Sequence, residues 1–153
     1  MKRVAHRRGF TGICLFNPKT RVNIGTCLRS AACFDVNIIY LHGERYRRQA
    51  SDTMNTVQHI PTIETNGNLL KTLPLATRKV AVEYDDSAIP LHQFAHPESA
   101  IYIFGPEDGS IPTDVQKACD SRIFIPSLYC LNLAVAVSIV LYDRYLHTIP
   151  VKR

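Results

Sequence analysis

The sequence predicts a single α/β domain built on a mostly parallel sheet with helices on both faces. Three observations support this fold class. Strand-like runs alternate with helical segments, the connections are long enough for crossovers, and several runs are apolar throughout instead of alternating with polar residues. No repeat, linker or change of composition divides the 153 residues, of which 46% are hydrophobic, so we expect one domain over residues 1–153.

The first third of the chain contains two predicted strands and the helix between them. Residues 12–16 are a short apolar run, as in a strand that is buried on both faces. From Asn23 onward, apolar residues recur at the spacing i, i+3, i+4 and i+7, which predicts a helix with one apolar face. The β-branched and apolar run at residues 36–41 predicts the second strand.

The rest of the chain contains four more predicted strands and three predicted helices. The strands are expected at residues 60–63, 79–84, 100–104 and 122–126, and the helices at residues 68–75, 112–119 and 131–146. The last helix is apolar on almost every side over residues 131–141, so it needs a second cover besides the sheet. A homodimer packed on this helix is the economical explanation, and burial within one chain is the alternative. Near its end we expect Asp143, Arg144 and His147 to point outward.

Positive charge is concentrated at the N-terminal end of the chain. Residues 1–48 contain ten lysines and arginines against two acidic residues, whereas the remainder is slightly acidic. A basic region on a nearly balanced body suits a polyanion such as nucleic acid. A basic surface kept for solubility explains the charge alone equally well.

The cysteines, histidines and apolar runs argue against several other classes of protein. The five cysteines are odd in number and form no Cys-x-x-Cys pair, which indicates reduced thiols in a cytoplasmic protein. His92 and His96 could share one helix face, but without a third ligand we expect surface histidines and no metal. The longest apolar stretch, residues 131–142, is shorter than the ~20 residues that span a bilayer, so we expect no membrane contact.

Three short polar or glycine-bearing segments follow or separate the strand-like runs. They are residues 23–29, residues 104–109, and residues 125–126 together with 131–133. Loops at the ends of parallel strands carry the ligand sites of open α/β proteins. No Gly-x-Gly-x-x-Gly and no P-loop pattern follows the first strand, which argues against the usual dinucleotide and nucleoside triphosphate sites.

In their order and spacing, these segments resemble the motifs of the SpoU-type (TrmH-like) branch of the SPOUT methyltransferases. The matching residues are Asn23, Gly25 and Arg29 in the first motif, Phe104, Gly105 and Glu107 in the second, and Ile125, Pro126, Leu131 and Asn132 in the third. The resemblance covers residues 12–147. We expect no appended RNA-binding domain, and in this respect the sequence resembles the minimal, TrmL-like members of the family.

The resemblance implies a fold and an activity. The fold ends in a deep C-terminal trefoil knot, dimerises through its first and last helices, and holds S-adenosyl-L-methionine between the knot loops. The activity is 2′-O-methylation of an RNA ribose, with tRNA favoured over rRNA. A non-catalytic RNA-binding relative and a base-methylating enzyme are the alternatives. The implied cofactor-binding residues are Val82, Glu83, Tyr84, Gly105, Pro106, Glu107, Gly109, Ile125, Cys130, Leu131 and Leu133.

The resemblance also implies catalytic roles for Arg29, Asn23, Glu107 and Asn132. A guanidinium is a poor base, so we expect Arg29 to stabilise charge developing on the ribose oxygen and to anchor phosphate. Asn23 is expected to orient Arg29 or Glu107, and Asn132 to cap the last helix or join the same network. RNA binding is assigned to the basic residues Arg7, Arg8, Arg21, Arg29, Arg45, Arg47 and Arg48.

The chain departs from the family pattern in its third motif. Cys130 stands where most relatives have serine, and the link between Pro126 and Asn132 is shortened. A thiol is a weaker hydrogen-bonding group than a hydroxyl. If the serine hydroxyl of the family takes part in the reaction, we therefore expect this protein to react more slowly or to use the Ser127 hydroxyl instead.

Overall fold

Seven parallel strands form one sheet in a computed structural model that describes residues 9–45 and 55–148. The strands are β1 (Phe10–Phe16), β2 (Ile38–His42), β3 (Thr62–Thr65), β4 (Arg78–Val82), β5 (Ile89–Pro90), β6 (Ser99–Phe104) and β7 (Ser121–Phe124). The helices are α1 (Arg21–Cys33), α2 (Thr56–His59), α3 (Leu69–Thr72), α4 (Thr113–Lys117) and α5 (Leu133–Thr148), and a 3-10 turn spans Leu91–Gln93. The spatial order of the strands is β3-β2-β1-β6-β4-β7-β5, so β1 and β6 lie at the centre.

Helices cover both faces of this sheet because successive strand side chains point to opposite sides. On one face Ile13 and Leu15 of β1 pack with buried residues of α1 and α5. On the other face Cys14 of β1 packs with buried residues of α3 and α4, including Leu69 and Val115. Residues of both clusters in the central strands are fully buried, which explains why these strands read as continuous apolar runs.

The predicted α/β class, the parallel sheet and the covering helices are confirmed. The sequence predicts six strands, and the structure has a seventh, β5, whose two residues include Pro90. This strand and the four-residue helix α2 were missed because neither is long enough to show a periodic pattern. The predicted helix at residues 68–75 shrinks to the single turn of α3, where the Asn68 side chain accepts a hydrogen bond from the backbone N–H of Lys71.

One face of α5 remains uncovered in the part of the chain that the structure describes. The exposed side chains Val135, Tyr142 and Leu146 are 46%, 52% and 51% exposed and fall on one helical stripe with the half-buried Ile139. The alternative that α5 is completely buried within one chain is therefore wrong for this face of the helix. None of the helices in the described ranges has the length and apolarity needed to cross a membrane.

Arg144 is buried, so the prediction that it points outward is wrong. Only 1% of the residue is exposed. Its guanidinium donates to the Thr11 hydroxyl at 2.7 Å and to the Tyr102 hydroxyl at 3.2 Å. The remaining contacts are with backbone carbonyl oxygens, those of Phe10, Pro97 and Glu98. Helix periodicity alone places Arg144 among polar neighbours and cannot reveal carbonyl groups contributed by the starts of β1 and β6.

His96 is also buried, which corrects the expectation of a surface histidine. Its side chain is 1% exposed, its Nδ1 lies 2.6 Å from the Tyr102 hydroxyl, and its Nε2 lies 2.8 Å from an oxygen of Asp143. Burial lowers the pKa of His96, and the bond to Asp143 only partly opposes this shift. Asp143 is half-buried, and only His147 is exposed as predicted. The ligand atoms of His96, Asp143 and His147 lie within 4.8 Å of one another, but hydrogen bonds already occupy both ring nitrogens of His96.

Candidate functional site

A cavity of about 600 Å³ lies at the carboxyl ends of β6, β4 and β7, which are neighbours in the sheet. The loops that follow these three strands form its walls. The residues predicted from the sequence to bind a cofactor all line it, namely Val82, Glu83, Tyr84, Gly105, Pro106, Glu107, Gly109, Ile125, Cys130, Leu131 and Leu133. Sequence reasoning missed Phe104, Phe124, Ser127, Leu128, Tyr129 and Ala136. Phe104 is itself a residue of the second motif, and Ser127 is considered above for its hydroxyl, whereas proximity to the motifs was the signal for the other four.

The mouth of the cavity carries large exposed side chains. Tyr84 is 71% exposed, Leu128 95% and Tyr129 85%. The ring of Tyr84 meets the ring of Phe124 edge-on, with 5.3 Å between centroids. The Ser127 hydroxyl lies 2.8 Å from the backbone oxygen of Tyr129, which braces this loop. The proton of the Ser127 hydroxyl is therefore engaged inside the loop, which leaves its lone pairs to accept hydrogen bonds from other groups.

Glu107 links the cavity wall to the start of α1. Its carboxylate accepts hydrogen bonds of 2.9 Å from the backbone N–H groups of Lys19 and Thr20 and from the side-chain amide of Asn23. Thr20, the N-cap of α1, makes no side-chain capping bond of its own. A carboxylate from the loop after β6 therefore satisfies donors at this helix N-terminus, where negative charge is favourable.

These hydrogen bonds keep Glu107 ionised. Partial burial by itself would raise the pKa of Glu107, but the donors from Lys19, Asn23 and Thr20 outweigh it and lower the pKa to about 2. At neutral pH the carboxylate is a fixed negative charge at the cavity wall, not a proton donor.

Asn132 connects the same network to α5. Its side-chain amide donates to Oδ1 of Asn23 at 3.0 Å. Its own Oδ1 accepts the backbone N–H groups of Ala134 at 2.9 Å and Val135 at 3.4 Å, which caps α5. The two roles that the sequence offered as alternatives, a helix cap and a member of the network, are both present. The structure thus brings Asn23, Glu107 and Asn132 into one chain of hydrogen bonds.

Arg29 does not belong to this chain of hydrogen bonds and does not line the cavity. It is exposed on α1, seven residues after the exposed Val22 and on the same helical face. Of the two partners predicted for Asn23, the structure provides Glu107.

The other basic residues predicted to bind RNA are only partly described. Arg21 is exposed at the first position of α1. Arg45 forms an ion pair with Asp108, with 3.0 Å between Nη2 and Oδ2. Four predicted residues lie outside the described ranges, namely Arg7, Arg8, Arg47 and Arg48.

The cavity has the size and lining to hold S-adenosylmethionine. Its volume is within the range of ~300–1,000 Å³ that small-molecule sites span. Phe104, Phe124 and Ile125 offer apolar surface for a flat heterocycle. Glu83 and Glu107 contribute carboxylates, which suit a ligand with a sulfonium and an ammonium group. The Glu83 carboxylate also accepts the backbone N–H of Ile111 at 3.0 Å, which fixes two of the walls to each other.

A known family and a named relative each match most of this chain. The family described as SpoU rRNA Methylase matches residues 11–142. A tRNA (cytidine(34)-2′-O)-methyltransferase of Beijerinckia indica is 27% identical over 149 residues, covering 84% of this chain and 86% of that protein.

Solved structures share the fold over nearly the whole chain. An rRNA methyltransferase from Sinorhizobium meliloti superposes with a TM-score of 0.83 at 22% identity, covering 95% of this chain and 59% of that one. The chain therefore spans about three fifths of that protein, which was also solved with AdoMet bound. A structure described as giving insights into 2-OH methylation of C/U34 on tRNA has a TM-score of 0.79 at 22% identity, covering 91% of this chain and 96% of that one.

Proposed function

Because the chain belongs to the SpoU rRNA methylase family, we propose that it is an S-adenosylmethionine-dependent RNA 2′-O-ribose methyltransferase. The observation that carries this proposal is the cavity at the ends of β6, β4 and β7 with the Glu107–Asn23–Asn132 hydrogen bonds at its side. The predicted cofactor-binding residues of the second and third motifs, together with those that follow β4, all line this one cavity.

The proposed cofactor site uses the three loops as walls. Phe104, Phe124 and Ile125 would contact the adenine, and the carboxylates of Glu83 and Glu107 would favour the positive charges of the ligand. S-adenosylmethionine, held by these walls, would supply a methyl group carried by a sulfonium sulfur. Its transfer to a ribose 2′-oxygen would exchange the S–C bond for an O–C bond, with the hydroxyl proton passing to water and S-adenosylhomocysteine as the other product. The protein mainly has to position the hydroxyl and to stabilise the negative charge that develops on its oxygen during the transfer.

Arg29 is proposed to provide that stabilisation. Its guanidinium is exposed, and a permanent cation can hold an RNA phosphate and an oxygen on which negative charge develops. Asn23 and Asn132 are proposed as positioning residues, because their amides connect α1, α5 and the loop after β6.

The proposed substrate is tRNA in preference to rRNA. The relative named as a tRNA (cytidine(34)-2′-O)-methyltransferase matches most of this chain and most of its own length. The chain and the structure described for methylation of C/U34 on tRNA also cover each other almost completely.

A homodimer through α1 and α5 is proposed as the active form. The stripe of Val135, Ile139, Tyr142 and Leu146 leaves an apolar helix face open, and Val22 of α1 is 68% exposed. Packing two copies on these helices would bury the stripe. Arg29 shares the α1 face with Val22 and does not line the cavity of its own chain, so we propose that it serves the cavity of the partner subunit. Mixing an Arg29→Ala chain with a chain that carries a defective cofactor cavity should then restore activity, whereas either variant alone should be inactive.

We also propose a deep trefoil knot, which the resemblance implies, and a cytoplasmic location, which the cysteines indicate. The backbone N–H of Glu83 donates to the Ile123 oxygen, which continues the pairing of β4 with β7, and the loops after both strands line the same cavity. A crystal structure in which residues 125–148 pass the loop after β4 without threading it would contradict the knot. All five cysteines are free, in keeping with a reducing compartment, and cell fractionation tests the location.

The direct test is nucleoside mass spectrometry of unmodified tRNA incubated with the purified protein and S-adenosylmethionine. One new 2′-O-methylated nucleoside is expected, and it should be absent with the Arg29→Ala protein. A methylated base would favour the base-modifying alternative, and no product with any tRNA or rRNA would favour a non-catalytic RNA-binding protein.

A further inference from the structure

Lys19 and Arg45 converge on Asp108 beside the candidate site. The Arg45 guanidinium donates to both carboxylate oxygens, with Nη1 at 3.1 Å from Oδ1 and Nη2 at 3.0 Å from Oδ2. Lys19 Nζ lies 3.2 Å from Oδ2 of the same carboxylate. One carboxylate therefore holds two cations that come from different loops.

The backbone brings these loops together at one edge of the sheet. The loop after β1 is tied to the end of β2, because the backbone N–H of Asn17 donates to the His42 oxygen. Arg45 then reaches back to the Asn17 oxygen at 3.4 Å. Since β1 and β2 are neighbours in the sheet, Lys19 and Arg45 leave adjacent strand ends.

Glu107 and Asp108, the two adjacent acidic residues of the loop after β6, make different contacts. Glu107 is half-buried and accepts hydrogen bonds at the start of α1, as described above. Asp108 points to solvent, with a side chain that is 44% exposed, and its partners Lys19 and Arg45 are 57% and 32% exposed. The hydrogen bonds from Arg45 and Lys19 hold the pKa of Asp108 well below its usual range, so it is ionised at neutral pH.

An exposed ion pair of this kind contributes little to stability, because solvent screens both charges. The two N–H groups of Arg45 and the ammonium of Lys19, which donate to this carboxylate, are donors of the kind that also bind a phosphate group. Glu107 lines the cavity and Asp108 follows it directly, so the cluster lies where the backbone of an RNA would approach.

We propose that Lys19 and Arg45 form a phosphate site for the RNA backbone and that Asp108 occupies this site in the free protein as an internal competitor. This proposal rests on the proposed function, since it assumes that RNA is the substrate. An RNA phosphate would replace Asp108 against the two cations. The carboxylate would hold both side chains ready for phosphate and lower the affinity for RNA that lacks the remaining contacts. Asp108 would thus act on selectivity and not on methyl transfer itself.

The test compares Asp108→Asn with the native protein in binding to a fluorescently labelled tRNA anticodon stem-loop at several salt concentrations. Removing the competing charge should tighten RNA binding and steepen the dependence of affinity on salt by about one phosphate, a slope change of roughly 0.9. Between about 200 and 50 mM salt, the affinity advantage of the variant should then grow about threefold. Asp108→Ser should behave in the same way.

The matched control is Asp120→Asn. Asp120 also pairs with an exposed arginine, Arg78, at 2.8 Å, but it lies at the opposite edge of the sheet, where β4 and β7 begin. This variant should bind RNA with the native salt dependence. In Lys19→Gln/Arg45→Gln protein, the further change Asp108→Asn should have no effect on the slope.

The outcomes separate this proposal from the proposed function. If Asp108→Asn and Asp108→Ser bind RNA as tightly as the native protein or more weakly, with an unchanged salt slope, Asp108 only clamps its loop and the competitor role is wrong. Calorimetry with S-adenosylhomocysteine on the same variants reports the cofactor site independently. If the native protein binds this ligand but the Asp108 variants show no effect on RNA binding, only the present inference is wrong. If the native protein binds neither this ligand nor RNA, the proposed function is wrong as well.

Discussion

The side-chain amide of Asn132 donates a hydrogen bond of 3.0 Å to the side-chain oxygen of Asn23, across 109 residues of sequence. The side-chain amide of Asn23 in turn donates a hydrogen bond to the Glu107 carboxylate. The side-chain N–H groups of both asparagines therefore donate within this network, and the side-chain oxygen of Asn132 accepts a backbone N–H at the start of α5. The relative placement of α1, α5 and the loop after β6 depends on this pair.

Replacing Asn132 should separate its two roles. Asn132→Ala removes the helix cap and the bond to Asn23, and should lower the free energy of unfolding by about 1 kcal/mol. Asn132→Ser keeps a capping oxygen but cannot reach Asn23 in the same way, so it should recover most of the stability and little of the activity. Urea unfolding and methyl-transfer rates measure the two effects. Full activity of Asn132→Ala would remove it from the positioning network.

Glu107→Gln should flatten the acid dependence of stability. The pKa of Glu107 is lowered from the ordinary value of 4.5 to about 2 in the folded protein. A lowered pKa stabilises the folded state at pH values above 4.5, and this contribution is lost as the pH falls towards 2. The difference in melting temperature between native and Glu107→Gln protein should therefore shrink across this window. A constant difference would contradict the assigned pKa.

Arg29→Ala should abolish methyl transfer while leaving the fold and cofactor binding intact. Arg29 is exposed and lies away from the cavity, so its removal creates no core defect and no loss of cofactor contact. Arg29→Lys keeps the charge but loses the planar fork, and should recover only a small part of the rate. Single-turnover methylation with saturating cofactor measures this. Native rates for Arg29→Ala would refute its assigned role.

Arg144→Met should destabilise the protein more than any surface arginine change. The substitution leaves buried carbonyl oxygens and the Thr11 hydroxyl without their donor, at about 1–3 kcal/mol for each group that stays unsatisfied. Arg78→Ala removes an exposed pair and should change stability by about 0.5 kcal/mol or less. Chemical denaturation compares the two variants, and equal effects would mean that water replaces the guanidinium.

Sequence reasoning gave the fold class from short-range patterns, and it gave the wall residues from the resemblance of the three segments to a known family. Apolar runs marked the buried strands, and the motif residues fell at strand ends that meet at one edge of the sheet. It failed for Arg144 and His96, whose partners are backbone carbonyls, a tyrosine and an aspartate brought from distant segments. It likewise could not show that Arg45 pairs with Asp108, because these residues are 63 positions apart and meet only through tertiary structure.

Isothermal titration calorimetry of the purified protein with S-adenosylhomocysteine tests the central claim most directly. Saturable heat with one ligand per chain is expected, and it should be lost when Ala136→Trp places a large ring at the cavity wall. A native, folded protein that releases no heat with this ligand or with S-adenosylmethionine would contradict the cofactor site on which the proposed activity depends.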